Sequence, residues 1–233
     1  MVYDIKGKIA LITGGAAGIG LAYSIELLQN GLGGVVIADV NAATGEDTSA
    51  KLNEEYGAKK AVFIKTDVTK ADQLEAAFQL AISTYGTLDI VINNAGVMND
   101  AHWELEVAIN CDFKNLLDVP SMLEQNTSLS AWTSRSERYY YNLTGIRFLT
   151  MCPGVTGTPL ISEADKFALV GYPNLGKLLA EDLGSLPPQP TSNVAKGLYT
   201  MLTTGENGSV WVSEGGQPVY EVEIPDRNTL RKN

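Results

Sequence analysis

The chain has few of the residues that build metal sites and disulfide frameworks. Among 233 residues it has one histidine, His102, and two cysteines, Cys111 and Cys152, which lie far apart in the sequence. Structural zinc sites need about four Cys or His ligands at close spacing, and disulfide scaffolds need several paired cysteines. We therefore predict no metal site, and the cysteine usage is typical of a reducing cytosol.

Positive charge and long apolar runs are also scarce. Lys plus Arg number 17 and Asp plus Glu number 27, so the net charge is −10. A nucleic acid or an anionic membrane would need a basic surface, and a membrane span would need about 20 apolar residues in a row. The first residues, MVYDIKGKIALITGG, have too short an apolar run for a signal peptide. We expect no nucleic-acid partner, no membrane partner and a cytoplasmic location.

Apolar runs alternate with amphipathic segments along most of the chain. Near-continuous Val and Ile runs predict strands covered on both faces, at 8–13, 34–39, 61–66, 88–93, 146–152 and 209–213. Helical spacing predicts helices at 18–30, 42–56, 70–85, about 101–117 and 191–203. This alternation implies βαβ units with right-handed crossovers. We predict an α/β fold with a doubly wound parallel sheet, in a single domain over 1–233 because no repeat or linker divides the chain.

A glycine-rich turn joins the first predicted strand to the first predicted helix. The sequence from Thr13 to Gly20 is TGGAAGIG. Glycines at this spacing let the backbone turn tightly and approach a pyrophosphate, and the helix that follows offers free N–H groups and a partial positive charge. The position between a strand and a helix favours a dinucleotide-binding turn over an ordinary one.

Two acids and an amide pair follow the next three predicted strands. Asp39 ends the second strand, where a carboxylate can accept hydrogen bonds from an adenosine ribose and repel a 2′-phosphate. No Arg or Lys is placed to hold that phosphate, so NAD is favoured over NADP; an acid that only caps the strand end is the alternative. Asp67 follows the third strand and could bind the adenine amino group, cap the next helix, or do both. Asn93-Asn94-Ala95-Gly96 follows the fourth strand.

Together these motifs resemble the short-chain dehydrogenase/reductase family. The shared features are Thr-Gly-x3-Gly-x-Gly, the acid after strand two, an Asp-Val pair at 67–68 and Asn-Asn-Ala-Gly. Further blocks are similar to the branch that contains insect alcohol dehydrogenase and 15-hydroxyprostaglandin dehydrogenase, at 97–100, 103–104, 107–110 and 139–159. The resemblance covers nearly everything except residues 111–138.

The resemblance implies a Rossmann-type fold and hydride transfer between NAD and a secondary alcohol or hydroxy-lipid, so that the substrate is a small-molecule alcohol or ketone. It implies cofactor contacts from Gly14, Gly18, Ile19, Gly20, Asp39, Val40, Asp67, Val68, Asn94, Ala95 and Gly96. Pro153, Gly154, Val155 and Thr156 would cover the nicotinamide end. Asn110 would hold a proton-relay water; the alternative is a polar residue on an exposed helix face.

The sequence lacks the tyrosine–lysine pair that this mechanism requires. In the family, a Tyr whose pKa is lowered by a Lys four residues later takes the hydroxyl proton, and a Ser on the preceding strand orients the substrate oxygen. A free Tyr, with a pKa of about 10, is a poor base at neutral pH. The only Tyr with a Lys at this spacing is Tyr56, with Lys60, which we interpret as unrelated to catalysis. Tyr139, Tyr140 and Tyr141 have no such lysine and are predicted to be packing residues.

Residues 111–138 stand where the family has its catalytic strand and most of a helix. The chain is shorter there by about 30 residues, roughly one βα unit, and after Pro120 Ser and Thr are frequent with no apolar period. Read one base early, the codons of residues 120–127 permit Val-Tyr-Ala-Gly-Thr-Lys-His, with Tyr and Lys four apart. We hypothesise that part of 111–138 is out of frame, through mis-splicing, a gene-model error or a real frameshift. A genuine divergent insertion is the alternative.

This departure affects the expected function, sheet and assembly. The alternative function is a catalytically inactive NAD-binding protein. The sheet is expected to lack or replace its fifth strand, which would leave the edge of strand four open to aggregation or move strand six over. The resemblance implies a homodimer or tetramer, and the altered segment puts that assembly in question. Residues 165–186 correspond to the family's substrate lid, and an ordinary surface loop is the alternative. The tail 220–233 could cover the site or contact a partner.

Overall fold

The computed structural model describes residues 3–99, 102–110, 128–129, 141, 145–162, 173–223 and 225. The strands in these ranges are β1 (Ile9–Thr13), β2 (Gly34–Asp39), β3 (Ala61–Lys65), β4 (Ile90–Ile92), β5 (Ser128–Leu129), β6 (Thr150–Pro153), β7 (Val210–Ser213) and β8 (Tyr220–Val222). The helices are α1 (Gly18–Gln29), α2 (Ala42–Tyr56), α3 (Ala71–Tyr85), α4 (Trp103–Asn110), α5 (Pro159–Ser162), α6 (Pro173–Ser185) and α7 (Thr191–Thr204). No helix in this part of the chain has the length and apolar character to cross a bilayer.

Five parallel strands form the main sheet, in the order β3-β2-β1-β4-β5. β1 lies in the middle and pairs with β2 on one side and β4 on the other. Because successive strands run the same way, each connection must cross a face of the sheet, and α1, α2 and α3 make those connections. The predicted α/β class with a doubly wound parallel sheet is confirmed.

Both faces of β1 are buried, which explains its unbroken apolar run. Ala10 and Ile12 belong to a core cluster with residues of α1 and α7, whereas Ile9 and Leu11 belong to a second cluster with α3. Phe78 of α3 is 2% exposed in that second cluster. Burying one such large apolar side chain stabilises the fold by about 1.5–3 kcal/mol.

Local signals set several helix ends. The side chain of Asn41 accepts a hydrogen bond from the Thr44 N–H at 3.2 Å and so caps α2. Such a cap satisfies one of the N–H groups that have no partner within the helix. α3 ends at Gly86, whose φ of +82° lies in the left-handed region that glycine adopts readily.

Three more strands form a second group, in the order β6-β7-β8. β6 is parallel to β7, and β8 is antiparallel to it. The strand predicted at 146–152 begins later, at Thr150, although Ile146 and Leu149 before it are buried. β8 was not predicted, because apolar and acidic residues alternate there and we interpreted the segment as part of the C-terminal tail.

A two-residue strand occupies the place next to β4. Ser128 and Leu129 pair in parallel with Ile90 and Val91. This strand lies inside 111–138, so the fifth position is replaced by a short strand. In the described residues β5 takes the second edge of β4, and β6 belongs to the other group of strands. The expectation that strand six could move over to β4 is therefore wrong. The rest of 111–138 lies outside the described residues.

The region after Pro159 is more helical than its sequence suggested. α6 extends over thirteen residues where proline and glycine interrupt the pattern. The predicted lid residues before Pro173 lie outside the described ranges. The predicted helix at about 101–117 is present as α4, and its residues 111–117 are likewise outside the description.

Candidate cofactor and active site

The glycine-rich turn after β1 packs closely against the segment after β4. A Cβ on Gly14 would lie 2.9 Å from the Ala95 Cα, and a Cβ on Gly20 would lie 2.4 Å from the Gly14 carbonyl oxygen. Gly18 differs, because its φ is +56° and a Cβ there would meet only Thr158, at 3.6 Å. Side chains are therefore excluded where the turn contacts the protein, while the first residue of α1 keeps an open side. An open helix N-terminus of this kind suits a pyrophosphate.

Thr13 and Asn94 connect the ends of β1 and β4 beside this turn. The Thr13 hydroxyl accepts the N–H groups of Asn94, at 3.0 Å, and Ala95, at 3.2 Å. Asn94 Nδ2 donates to the carbonyls of Thr13 and Gly14. The conformation of the glycine turn is thus fixed from the neighbouring strand.

Asp39 lies at the carboxyl end of β2, next to the glycine turn. Its Oδ2 accepts the Ala16 N–H at 3.1 Å, and its Oδ1 accepts the Asn41 N–H at 3.0 Å. A carboxylate oxygen has about two acceptor sites, so both oxygens keep capacity for the hydroxyls of a ribose. Thr48, buried in α2, donates to the Ala16 carbonyl at 2.9 Å and supports the same turn. Val40, the next predicted contact, is exposed.

Asp67 has a clear structural role after β3. Its Oδ1 accepts hydrogen bonds from the Thr69 hydroxyl at 2.7 Å and the Thr69 N–H at 3.0 Å. The hydrogen bond from the Thr69 hydroxyl is the main reason why the pKa of Asp67 lies below its ordinary value. These bonds close a local turn just before Lys70, the N-cap residue of α3, so they are not the predicted cap on the helix itself. Contact with an adenine stays a prediction. Val68 is half-buried against the α3 side of the core.

Asn110 at the end of α4 contacts the segment that follows Gly96. Its Oδ1 accepts the Val97 N–H at 2.9 Å, and its Nδ2 donates to the Val97 carbonyl at 2.8 Å. Asn110 is exposed overall, as the alternative interpretation expected, yet its amide holds the backbone beside the predicted cofactor contacts. Its part in proton relay stays a prediction.

The turn after β6 is tied to the end of β7. The Gly154 N–H donates to the Ser213 carbonyl at 2.7 Å. Thr156 is 3% exposed, and its hydroxyl donates to the Gly154 carbonyl at 2.8 Å. The Thr156 side chain therefore stabilises the turn from inside, whereas Pro153 is exposed at its start.

Thr158 is a candidate residue that the sequence analysis missed. Its methyl carbon, at 3.6 Å from a Cβ built on Gly18, is next to the open start of α1. The turn after β6 and the glycine turn therefore approach one another across Gly18. The signal in the sequence was a second threonine in Thr156-Gly157-Thr158, which only the fold distinguishes from the first.

The pair Tyr56 and Lys60 lies away from this arrangement. Lys60 Nζ donates to the carbonyls of Leu32 and Gly33, at 3.2 and 3.0 Å. Those carbonyls precede β2, so the lysine is at the amino edge of the sheet. The glycine turn and Asp39 lie at the carboxyl edge, which places Tyr56 and Lys60 on the other side from the predicted cofactor contacts.

The remaining tyrosines, the cysteine and the possible metal ligands add no group to the candidate site within the described residues. Tyr141 is exposed, and the Cys152 thiol is free and exposed. Tyr139 and Tyr140 lie outside the described residues. Within the described ranges, no three His, Cys, Asp or Glu side chains are grouped as metal ligands.

The geometry defines an α/β dinucleotide-binding fold, with the turns after β1, β4 and β6 and the acid after β2 at one edge of the chain's sheets. Comparison with known proteins makes the class more specific. The family model described as short chain dehydrogenase matches residues 8–119. The 15-hydroxyprostaglandin dehydrogenase [NAD(+)] of Rattus norvegicus is 30% identical over 235 residues, covering 85% of this chain and 87% of that protein. The human protein of the same name is 29% identical with the same coverage of 85% and 87%.

Solved structures are similar in fold. Levodione reductase has a TM-score of 0.73 at 22% identity and covers 91% of this chain and 98% of its own. A short chain dehydrogenase/reductase from Burkholderia phymatum in complex with NAD has a TM-score of 0.69 at 19% identity, covering 86% and 87%. The chain belongs to the short-chain dehydrogenase family and is an oxidoreductase by that membership.

Proposed function

We propose that this chain is an NAD-dependent oxidoreductase that interconverts a secondary alcohol or hydroxy-lipid and the corresponding ketone. The observation that carries the proposal is the position of Asp39, whose carboxylate accepts the Ala16 N–H of the glycine turn at 3.1 Å. An acid at this point can bind both hydroxyls of an adenosine ribose and repels a 2′-phosphate. The rat relative named above is itself NAD-dependent by name.

The predicted cofactor residues would share an extended dinucleotide between them. Gly14, Gly18 and Gly20, with the first N–H groups of α1, would hold the pyrophosphate, and Asp39 would bind the ribose. Asn94 would orient the glycine turn, and the turn from Pro153 to Thr156 would lie over the nicotinamide. When bound, NAD accepts the hydride from the carbinol carbon, so the chain's own residues must bind, orient and exclude water.

A second candidate is an NAD-binding protein without turnover. One observation favours it: in the whole sequence, only Tyr56 is followed by a lysine four positions later, and Lys60 is held at the amino edge of the sheet. The relatives named above are enzymes and give this candidate no support. Both candidates share the cofactor site and differ in whether a group takes the hydroxyl proton.

One experiment separates the two candidates. The full chain is purified and titrated with NAD while tryptophan fluorescence is followed, and NADH formation is then assayed with a panel of secondary alcohols and hydroxy-lipids. Saturable quenching with NADH formation supports the oxidoreductase, and quenching without NADH formation supports the second candidate. The absence of both quenching and NADH formation would contradict both candidates.

The hypothesis of a shifted reading frame is tested on the transcript. The messenger is sequenced over the codons for residues 111–138 and read one base early. A Tyr-x-x-x-Lys pattern in that frame would support the hypothesis and would identify the missing proton acceptor. An early frame that lacks this pattern contradicts the hypothesis and favours a divergent insertion.

Assembly, domain organisation and location complete the proposal. We propose a single-domain chain that forms a homodimer or tetramer, supported by the apolar side chains that α4 exposes, Trp103, Leu105 and Val107. Light scattering of the purified chain would contradict this assembly if it showed a monomer. Cell fractionation tests the proposed cytoplasmic location, with which the free thiol of Cys152 is compatible.

A further inference from the structure

Gln189 is a buried polar side chain to which neither the motifs nor the family resemblance assigns a role. It is 2% exposed and lies just before α7. Its Nε2 donates to the Ser213 carbonyl at 2.6 Å and to the Thr156 hydroxyl oxygen at 3.3 Å. Its Oε1 accepts from Asn193 Nδ2 at 2.8 Å and from the Ser213 hydroxyl at 3.2 Å. Both ends of the amide are thus fully engaged.

The same residue is bound to the turn after β6 through its backbone. The Gln189 N–H donates to the Val155 carbonyl at 2.9 Å, and the Gln189 carbonyl accepts the Gly157 N–H at 2.9 Å. Gly154 is held to the Ser213 carbonyl that Gln189 also contacts. Gln189 therefore binds Val155, Thr156 and Gly157 directly, and it shares the Ser213 carbonyl with Gly154.

We propose that Gln189 is a positioning residue that fixes the turn from Gly154 to Thr156 for the nicotinamide end of the cofactor. This inference rests on the proposed NAD site. Loss of the side-chain amide would leave the Thr156 hydroxyl oxygen without its donor and the Ser213 hydroxyl without its acceptor, and the Ser213 carbonyl would keep only the Gly154 N–H. Unpaired buried polar groups of this kind favour rearrangement of the turn. Among the residues that the structure describes, the hydrogen bonds of Gln189 go to Val155, Thr156, Gly157, Asn193 and Ser213. None of these belongs to the glycine turn or to Asp39, which would hold the adenosine half.

The two halves of the cofactor give the test. ADP-ribose carries the adenosine, pyrophosphate and ribose but no nicotinamide, so its binding should depend little on the turn after β6. Dissociation constants for NAD and ADP-ribose are measured by calorimetry on the full chain and on Gln189→Met, which keeps the length of the side chain. We expect the Kd for NAD to rise about tenfold, equivalent to about 1.4 kcal/mol, and the Kd for ADP-ribose to stay within about twofold.

A matched control acts on the other half. Thr48 is 5% exposed and supports the glycine turn through its 2.9 Å hydrogen bond to the Ala16 carbonyl. Thr48→Val should therefore weaken both ligands in parallel. If Gln189→Met also changes both ligands in parallel, or changes neither, the positioning role is overturned.

A milder variant keeps the test decisive if Gln189→Met does not fold. Asn193→Ala removes one donor to Gln189 Oε1 and should weaken NAD selectively, by less than Gln189→Met would. Parallel loss in Asn193→Ala overturns the proposal in the same way. A wild-type chain that binds neither ligand contradicts the NAD site itself, whereas a wild-type chain that binds both, with unselective variants, contradicts only the role of Gln189.

Discussion

Asn94 and Thr13 bind each other at two points, across the ends of two neighbouring strands. The Asn94 N–H donates to the Thr13 hydroxyl oxygen at 3.0 Å, and Asn94 Nδ2 donates to the Thr13 carbonyl at 3.0 Å. The Thr13 hydroxyl is also within 3.4 Å of the Ile92 carbonyl. Since Gly14 follows Thr13 directly, this contact sets the direction in which the chain enters the glycine turn.

Replacing Asn94 should therefore cost both stability and cofactor binding. Asn94→Ala removes the donor to the carbonyls of Thr13 and Gly14, and we expect a loss of about 1–3 kcal/mol in the free energy of unfolding. Asn94→Asp should cost more, because it places a carboxylate against the same carbonyls. Urea unfolding gives the first quantity and NAD titration the second. If Asn94→Ala is less stable but binds NAD with unchanged affinity, the contact between Asn94 and Thr13 stabilises the fold and plays no part in cofactor binding.

The carboxylate of Asp39 should set the choice between NAD and NADP. Asp39→Asn keeps the shape but removes the charge that binds ribose hydroxyls and repels a phosphate. Because hydrogen bonds to charged groups contribute about 1.5–3 kcal/mol, we expect the ratio of the NADP Kd to the NAD Kd to fall by about tenfold or more. Calorimetry with both cofactors measures the ratio. Asp47→Asn, which removes an exposed charge paired with Lys51 on α2, is the control and should leave the ratio unchanged.

Asn110 and Asn53 offer a matched pair for testing the segment after Gly96. Asn110 binds the Val97 backbone through both ends of its amide, and Asn53 binds the Ala61 backbone in the same way, at 2.7 and 2.9 Å. Both Asn→Ala changes should lower the free energy of unfolding by about 1 kcal/mol. Only Asn110→Ala should also raise the Kd for NAD, because Asn53, in α2, binds the first residue of β3, at the opposite edge of the sheet from the predicted cofactor contacts. Equal NAD affinity in the two variants would argue that Asn110 is structural alone.

Asp67 should make folding stability depend on pH in the acid range. The pKa of its carboxyl is lower in the folded chain than its ordinary value, first because of the Thr69 hydroxyl. The unfolded chain, with an Asp pKa of about 3.9, therefore binds the proton more readily, so the contribution of Asp67 is present above that pKa and is lost as the pH falls through the folded value. We expect the stability difference between the wild-type chain and Asp67→Asn to shrink as urea unfolding is moved from neutral pH to below about pH 4. A difference that stays constant with pH would show that charge plays no part.

The part of the fold from β1 to β4 could be predicted from the sequence, because local sequence signals and tertiary packing agree there. Gly34–Asp39 and Ala42–Tyr56 have the predicted bounds, since a Val and Ile run buried on both faces ends at an acid, and an asparagine then caps a polar helix. The glycine turn was readable for the same reason, because it lies between two unambiguous elements.

The part of the fold from β6 to β8 could not be predicted in the same way, because it is determined by contacts between residues that are distant in the sequence. Gln189 and Thr156 are 33 positions apart, and no pattern in the sequence predicts that their side chains contact each other in a buried cluster. α6 was not predicted because glycines and a proline obscure its period, and β8 was not predicted because only pairing with β7 makes a strand of Tyr220–Val222. The missing Tyr-x-x-x-Lys, by contrast, is a matter of sequence alone.

The most direct test of the account is a calorimetric titration of the unmodified full chain with NAD and, separately, with NADP. The carboxylate of Asp39 beside the glycine turn predicts saturable binding of NAD and at least about tenfold weaker binding of NADP. Tighter binding of NADP, or heat from neither cofactor in a chain with a cooperative unfolding transition, would contradict it.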